Sequence, residues 1–264
     1  MGQSVFSARS VSLSFSGVRA LAGIDLSVAE GELLGVIGPN GSGKSTLFNV
    51  ISGIYRPDFG QLEFRGRMIA GMRPADIVRK GIVRTFQNKR LFSNMTVAEN
   101  VMVAGLKVAP GSALGDVFGT QGSKAAMRSC EQRARQCLEA VGLSSMLEVL
   151  AKDLPYGAQN RLEIARALVL EPSLLLLDEP AAGLNPSERG DVRELIRSIH
   201  GRGIAIVLVE HDVRMVTGLC PRIAVLDHGE KIADGPAQEV MRDERVLEAY
   251  FGTQEQRERA HAGQ

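Results

Sequence analysis

Residues 38–45 read Gly-Pro-Asn-Gly-Ser-Gly-Lys-Ser, and this stretch decides the fold. It follows a short apolar run, 33–37, that is typical of a buried strand, and it precedes a helix-like stretch from Lys44 to about Ile54. The pattern G-x-x-x-x-G-K-[S/T] between a strand and a helix is that of a loop that surrounds phosphate groups. We therefore expect a βα unit that binds a nucleotide phosphate at the helix N-terminus.

The residue types of this loop suit phosphate chemistry. Glycines let backbone N–H groups turn inward around the phosphates, and the helix N-terminus adds partial positive charge. Lys44 supplies a charge for the β- and γ-phosphates, and the Ser45 hydroxyl can bind Mg²⁺. A Gly-rich turn before an ordinary helix is the structural alternative, which the complete motif in its context disfavours. The predicted nucleotide-binding residues of the loop are Gly38, Asn40, Gly41, Ser42, Gly43, Lys44, Ser45 and Thr46.

A second motif, at 174–179, reads Leu-Leu-Leu-Leu-Asp-Glu. The apolar run predicts a buried strand that delivers Asp178 to its carboxyl end, where open α/β sheets bind ligands. We expect Asp178 to hold Mg²⁺, through water, and Glu179 to orient or deprotonate an attacking water. The structural alternative is that both acids cap the next helix. Together with Lys44, Asp178 favours nucleotide hydrolysis over simple phosphate binding.

The rest of the chain alternates between strand-like and helical patterns. Alternating apolar residues over 11–28 predict antiparallel strands, and the runs 173–177 and 204–209 predict central parallel strands. Between about 88 and 155 the spacing becomes helical. One helix face there should carry Met127, Cys130, Ala134, Cys137, Leu138 and Val141. Helices are also expected over 187–200 and 212–218, and a hairpin over 222–233.

The composition of the chain argues against two classes of protein, those that bind nucleic acids and those that span a membrane. The chain has 264 residues, of which 31 are basic and 30 acidic, for a net charge of +1. Proteins that bind nucleic-acid backbones normally carry a basic surplus, and the absence of Trp leaves little for base stacking, so we expect no nucleic-acid partner. The longest apolar runs are far shorter than the roughly 20 residues that a membrane-spanning helix needs.

Five further segments resemble motifs of the ABC-type ATPases, in that family's order and over about 5–251. Residues 154–159, Leu-Pro-Tyr-Gly-Ala-Gln, resemble the signature segment, of which Tyr156 and Gly157 would contact nucleotide. Gln87 resembles the Q-loop glutamine, a Mg²⁺ ligand and catalytic residue. Residues 182–185 resemble the D-loop, and His211 resembles the switch histidine that contacts the γ-phosphate. Phe15 lies where an aromatic residue of the family stacks on adenine.

This resemblance implies an architecture and a mechanism. The fold class would be α/β, a P-loop NTPase (RecA-like) core with an antiparallel β-subdomain and an inserted helical subdomain. The ATP-binding domain would span 1–252, with the helical subdomain at about 88–158 and a flexible tail at 253–264. Two ATP molecules with Mg²⁺ would be held between two ATPase chains, each signature segment facing the nucleotide of the other chain. Binding would close this dimer and hydrolysis would open it.

A closer resemblance, to the ATPases of branched-chain amino acid importers, is carried by residues 81–101, 178–186 and 248–252. It implies two different ATPase subunits, although a homodimer stays possible, together with two integral membrane permease subunits and, indirectly, a periplasmic binding protein. The chain would then be peripheral to the cytoplasmic face of the inner membrane. Leu91, Phe92 and Met95 are where a permease helix would dock; alternatively, Leu91 and Phe92 only pack a subdomain boundary.

Three alternatives to a branched-chain amino acid importer stay open. They are an importer of urea or amides, a soluble ABC-type ATPase without a transport role, and a P-loop kinase of small metabolites, which should lack the signature segment and His211. Three departures from the family pattern also matter: Pro155 replaces the usual serine, Tyr156 the usual glycine and Ala158 the usual glutamine. Because Pro155 offers neither a hydroxyl nor an N–H donor, we expect the ATP site completed by this signature to be the weaker one.

Overall fold

The computed structural model describes residues 4–85, 91–106 and 121–251. In chain order its strands are β1 (Ser4–Phe15), β2 (Val18–Ala29), β3 (Leu33–Ile37), β4 (Phe59–Phe64), β5 (Arg67–Met68), β6 (Ile82–Arg84), β7 (Leu174–Asp178), β8 (Ala205–Val209), β9 (Arg222–Asp227) and β10 (Glu230–Pro236). The α-helices are α1 (Lys44–Ile51), α2 (Pro74–Lys80), α3 (Val97–Leu106), α4 (Gln121–Ala140), α5 (Tyr156–Leu168), α6 (Pro186–His200), α7 (Val213–Leu219), α8 (Ala237–Val240) and α9 (Glu244–Phe251).

The strands form two sheets. The larger has the order β10-β9-β3-β8-β7-β6, in which all neighbours are parallel except the β9–β10 hairpin at one edge. The smaller sheet is antiparallel, with the order β2-β1-β4-β5. The strands β3, β7 and β8 are buried along their whole length, which explains their continuous apolar sequences.

The core lies on both faces of the parallel sheet. One face packs against α1 and the antiparallel sheet, through residues such as Leu34, Phe48 and Val11. The other face packs against α3 and α5–α7, through residues such as Leu177 and Leu162. Since ligands of parallel sheets bind at the carboxyl ends of the strands, this layering places the ends of β3, β7 and β8 together.

The helices and strands predicted from the sequence agree closely with the observed ones, with three differences. Helix α1 ends at Ile51, before the predicted Ile54, because Gly53 adopts a left-handed conformation (φ 74°). On α4 the residues Cys130, Ala134 and Leu138 are buried as predicted, but Met127 is exposed one turn before the packed part of the helix. The Gly-rich segment 105–122, whose sequence predicts a loop between helices, begins and ends in helix, and its residues 107–120, like the tail 253–264, lie outside the described residues.

The described residues contain no helix that is long and apolar enough to cross a membrane. The mainly parallel sheet covered by helices, with the additional antiparallel sheet, agrees with the α/β fold class predicted from the sequence. The division into a domain at 1–252 with a subdomain at about 88–158 stays a prediction.

Candidate functional site

The loop between β3 and α1 has a backbone that only glycine fits at two positions. Gly38 adopts φ 153°, and a Cβ there would lie 2.0 Å from the carbonyl oxygen of Leu226. Gly43, the residue before α1, adopts φ 105°, and a Cβ would lie 2.7 Å from the carbonyl oxygen of Ala20. The two glycines therefore let the loop pass close to β9 and to the antiparallel sheet.

The N-terminus of α1 is open to an anion. No described side chain caps it, and its first turn contains no acidic residue. The backbone N–H groups at the start of a helix have no partner within the helix and carry partial positive charge. Ser45 is exposed and Thr46 half-buried at this end, while Ser42 is buried in the loop. These are the positions that the sequence assigned to nucleotide phosphates.

Lys44 is buried, and its ammonium group is held by the loop itself. Its Nζ donates to the carbonyl oxygens of Gly38 and Pro39, both at 2.8 Å, and to the Ser42 hydroxyl at 3.3 Å. Burial lowers the pKa of Lys44, and the negative charges of Glu179 and Asp178 oppose this shift. Lys44 is therefore electrostatically coupled to both acids of the second motif.

Asp178 ends β7 with one oxygen paired and the other without a partner. Its Oδ2 lies 2.7 Å from Nη2 of Arg84, and both side chains are buried. Its Oδ1 is buried without a hydrogen-bond partner in the described part of the chain. A buried carboxylate oxygen with no donor is costly unless a cation or water binds it. This atom therefore fits the Mg²⁺ ion that the motif implies.

The described residues contain no cluster of three or more His, Cys, Asp or Glu side chains that could hold a metal alone. Mg²⁺ in nucleotide sites is usually bound by one or two protein ligands together with phosphates and water. Ser45 and Asp178 are the described residues that would hold it, and the ion would neutralise phosphate charge. Gln87, the third predicted ligand, lies outside the described residues.

Glu179 and His211 contact each other. His211 Nε2 lies 2.8 Å from Glu179 Oε1, and the carboxylate side chain is nearly buried while the imidazole is half-exposed. Glu179 adopts φ 50°, a left-handed conformation that is rare for a residue with a side chain. Its backbone N–H donates to the carbonyl oxygen of Val209, which ends β8. Strained backbone of this kind is concentrated at functional sites.

The signature residues contact the segments that follow Glu179. Tyr156 begins α5, is half-exposed and packs on Gly183, where a Cβ would lie 3.2 Å from the phenol oxygen. Gly157 leaves room for Glu188, whose Oε1 would lie 2.9 Å from a Cβ. Pro155 precedes the helix without capping it. Asn185, in the predicted D-loop, forms a capping box with Glu188 at the start of α6.

Phe15, the predicted adenine-stacking residue, lies at the end of β1 with an exposed ring. The ring meets Tyr55 edge to face, with centroids 5.1 Å apart and planes at 68°. An exposed aromatic ring suits stacking on a nucleobase.

Three residues of this region were not predicted. Arg84 pairs with Asp178 and also donates to Asn49 Oδ1 at 2.7 Å. Glu210 is buried and accepts the backbone N–H of Ala181 at 2.7 Å. Asn160 on α5 is buried and donates to the carbonyl oxygen of Pro180. The sequence did contain a signal for two of them: Arg84 ends an apolar strand and Glu210 directly follows one, and a charged residue at such a place indicates a candidate site residue.

The structure thus joins Lys44, Asp178, Glu179 and His211 at the carboxyl ends of β7 and β8, beside α1. Residues 21–182 match the family model described as ABC transporter, which covers more than half of the chain. The chain belongs to the ABC transporter ATP-binding family. As a member it is an ATPase coupled to transport, and it binds ATP. Residues 230–256 also match the model described as branched-chain amino acid ATP-binding cassette transporter.

Curated relatives of this ABC protein are similar over nearly their whole length. It is 38% identical over 253 residues to the high-affinity branched-chain amino acid transport ATP-binding protein BraF of Pseudomonas aeruginosa, covering 96% of this chain and 99% of BraF. It has the same identity and coverage with LivG of Escherichia coli, which carries the same description. The probable LivG of Archaeoglobus fulgidus is 33% identical, with 95% and 96% of the two chains covered.

Solved structures are similar to this ABC protein in fold. A nucleotide-free ATP-binding cassette from an ABC transporter has a TM-score of 0.82 and 31% identity, covering 95% of this chain and all of the other. An ATP-binding cassette of an ABC transporter in its ADP conformation gives the same values. The fold class predicted from the sequence is confirmed by these neighbours.

Proposed function

We propose that the chain is the ATP-hydrolysing subunit of an importer of branched-chain or other hydrophobic amino acids. The observation that carries the chemistry is the contact of Glu179 with His211 beside the unpartnered oxygen of Asp178. The cargo rests on the relatives, which are described as branched-chain amino acid transport proteins, and on the matching segment at 230–256.

In this proposal each predicted site residue has one task. The loop from Gly38 to Thr46 binds the phosphates, with Lys44 leaving the carbonyl oxygens of Gly38 and Pro39 for the nucleotide. Phe15 stacks on adenine. Ser45, Asp178 and Gln87 hold Mg²⁺. Glu179 accepts a proton from the attacking water, and His211 contacts the γ-phosphate, both in a site that gains its remaining contacts from a second ATPase chain.

The second chain is expected because Tyr156 and Gly157 lie on the start of α5, a helix N-terminus that no described side chain caps. Such an end suits the γ-phosphate of an ATP bound to the opposite chain. ATP would then stabilise a closed dimer, which is a heterodimer if this importer resembles its family, and hydrolysis would weaken that contact. Pro155 provides no hydroxyl donor, so the site completed by this chain's signature is the weaker of the two.

The membrane partner has a candidate docking groove. A groove of about 530 Å³ lies among α2, β6, α3 and α5, with an apolar lining that includes Ile77, Val83 and Phe92. Arg166 covers the Phe92 ring at 5.3 Å. We assign the groove to an amphipathic helix of a permease subunit, at the cytoplasmic face of the membrane. Leu91 is half-buried and packs against the core, whereas Phe92 is exposed.

Two experiments test the proposal. Mg²⁺-dependent ATP hydrolysis by the assembled subunits should be nearly abolished by Glu179→Gln, which preserves the shape of the side chain but not the proton acceptor. Labelled leucine uptake in cells that lack the chain should be restored by the wild type and not by Glu179→Gln. If the assembled subunits hydrolyse ATP but cells that lack the chain take up leucine as well as the wild type, the branched-chain cargo is excluded. That result would favour an importer of urea or amides. Unimpaired hydrolysis by the variant would exclude the catalytic assignment.

A further inference from the structure

The peptide that follows Glu179 is held from two sides. Asn160 Nδ2, on α5, donates to the carbonyl oxygen of Pro180 at 3.1 Å. Glu210 Oε1, at the end of β8, accepts the backbone N–H of Ala181 at 2.7 Å. Asn160 is 8% exposed and Glu210 is 4% exposed. Two buried polar side chains therefore fix the backbone immediately after the predicted catalytic carboxylate.

Glu179 needs such support because of its backbone. A left-handed conformation is unfavourable for a residue with a side chain, and it persists only where the surroundings determine it. The hydrogen bonds of Glu179 N–H to Val209 and of Ala182 N–H to Glu179 hold the same turn from within the main chain. The side chains of Asn160 and Glu210 add contacts from two other elements. Without them the turn could relax and move the carboxylate.

Glu210 also reaches the second catalytic segment. Its Oε2 accepts the backbone N–H of His211 at 3.3 Å. One carboxylate thus links the main chain on which Glu179 depends to the main chain of His211. Asn160 in turn lies one helical turn after Tyr156, so it links the same peptide to the signature helix.

We propose that Asn160 and Glu210 are positioning residues that hold the Glu179 carboxylate in its hydrolytic orientation, and that Asn160 connects this orientation to the signature helix. The inference rests on the proposed ATPase function. Neither side chain touches nucleotide; both act through Glu179. Burial raises the pKa of Glu210 to about 7, and the backbone N–H groups of Ala181 and His211 oppose this rise.

The test compares Asn160→Ala, Glu210→Ala and Glu210→Gln in the assembled complex. Glutamine keeps an acceptor for the N–H of Ala181 and loses only the longer bond from the N–H of His211, so Glu210→Gln should retain most of the kcat for ATP hydrolysis. Asn160→Ala and Glu210→Ala should each lower kcat about tenfold while KM for ATP stays within about twofold, because they disturb the carboxylate and not the binding loop. Asn100→Ala is the control: Asn100 is also buried and bonds backbone carbonyl oxygens, but at the start of α3. It should lower the melting temperature without lowering kcat.

A second arm separates positioning from general damage. In a Glu179→Gln background, measured by single-turnover hydrolysis of labelled ATP, Asn160→Ala and Glu210→Ala should cause no further loss, because the group that they orient is gone. An equal further loss in that background, or an unchanged kcat in the single variants, would overturn the inference. If the wild type shows no Mg²⁺-dependent hydrolysis, or Glu179→Gln does not impair it, the proposed function itself fails.

Discussion

His211 Nε2 lies 2.8 Å from Oε1 of Glu179, and the two side chains differ sharply in exposure, at 49% and 8%. The carboxylate is enclosed at the end of β7, whereas the imidazole extends from the loop after β8 into the open side of the site. Such a pair gives His211 a fixed orientation on one side and leaves its remaining ring face accessible to a phosphate. The contact therefore connects the group expected to accept a proton with the group expected to sense the γ-phosphate.

Replacement of His211 tests this connection. We expect His211→Ala to lower kcat for ATP hydrolysis about a hundredfold, since a positioned acid–base or phosphate-contacting side chain typically contributes about 10²–10⁴. ATP affinity should change little, because the phosphate loop is untouched. Steady-state hydrolysis and binding titrations measure the two effects. His200→Gln is the control: His200 contacts the carbonyl oxygen of Gly31, away from the site. A His211→Ala variant with wild-type kcat would contradict the assignment.

Lys44 provides a test of nucleotide binding. We expect Lys44→Ala to weaken binding of Mg-ATP at least about thirtyfold, because losing one partner of a desolvated charge contact costs about 2–5 kcal/mol. Isothermal titration calorimetry measures the affinity directly. Lys152→Ala, at an exposed lysine before the signature segment, should bind like the wild type. Retention of tight binding by Lys44→Ala would remove the basis for the phosphate loop.

The sequence was sufficient for features that depend on local order. The buried run before Gly38, the glycines of the loop and the helix after it lie next to one another in the chain, so one motif predicts their joint geometry. The same holds for β7 and Asp178, since a continuous apolar strand delivers the next residue to the end of the sheet. For the same reason the predicted bounds of β3 and β7 agree with the observed bounds within about two residues.

The sequence did not predict features that join distant segments. Arg84 and Asp178 are separated by 94 positions, and their ion pair depends on β6 lying beside β7. Asn160 and Glu210 meet Pro180 and Ala181 only after α5 and β8 have packed around β7. Met127 followed the apolar helical period but is exposed, because period alone does not say where a neighbouring element stops. Sheet order and helix packing supply this information.

The Arg84–Asp178 pair should be important for stability. Both side chains are buried, so Arg84→Leu leaves an uncompensated charge, and we expect the free energy of unfolding to fall by about 3–5 kcal/mol. Removing both charges, in Arg84→Leu/Asp178→Leu, should recover much of this loss. Urea unfolding measures both variants without nucleotide. Arg73→Leu, which breaks the exposed pair with Asp76, should leave stability nearly unchanged. Equal stability of Arg84→Leu and the wild type would contradict a buried ion pair.

The raised pKa of Glu210 predicts how the stability of the protein depends on pH. Burial is the main cause that raises its pKa from 4.5 to about 7; Glu179 and Asp212 add repulsion, and the N–H groups of Ala181 and His211 oppose the rise. Between these two values the folded state binds the proton that the unfolded state has released, so stability falls as pH rises. The loss from this group between pH 4.5 and 7 is about 3 kcal/mol, at 1.36 kcal/mol per unit.

The measurement is the free energy of unfolding at several pH values from 5 to 8, for the wild type and for Glu210→Gln. Glutamine does not titrate, so this variant should lose the falling slope below pH 7 and become the more stable protein at pH 8. Glu194→Gln, at an exposed position on α6 paired with Arg197, should keep the wild-type slope. Because the other titrating groups are common to all three proteins, the difference between their curves isolates Glu210. Parallel curves for the wild type and Glu210→Gln would mean that Glu210 is ionised in the folded protein, held by the N–H groups of Ala181 and His211.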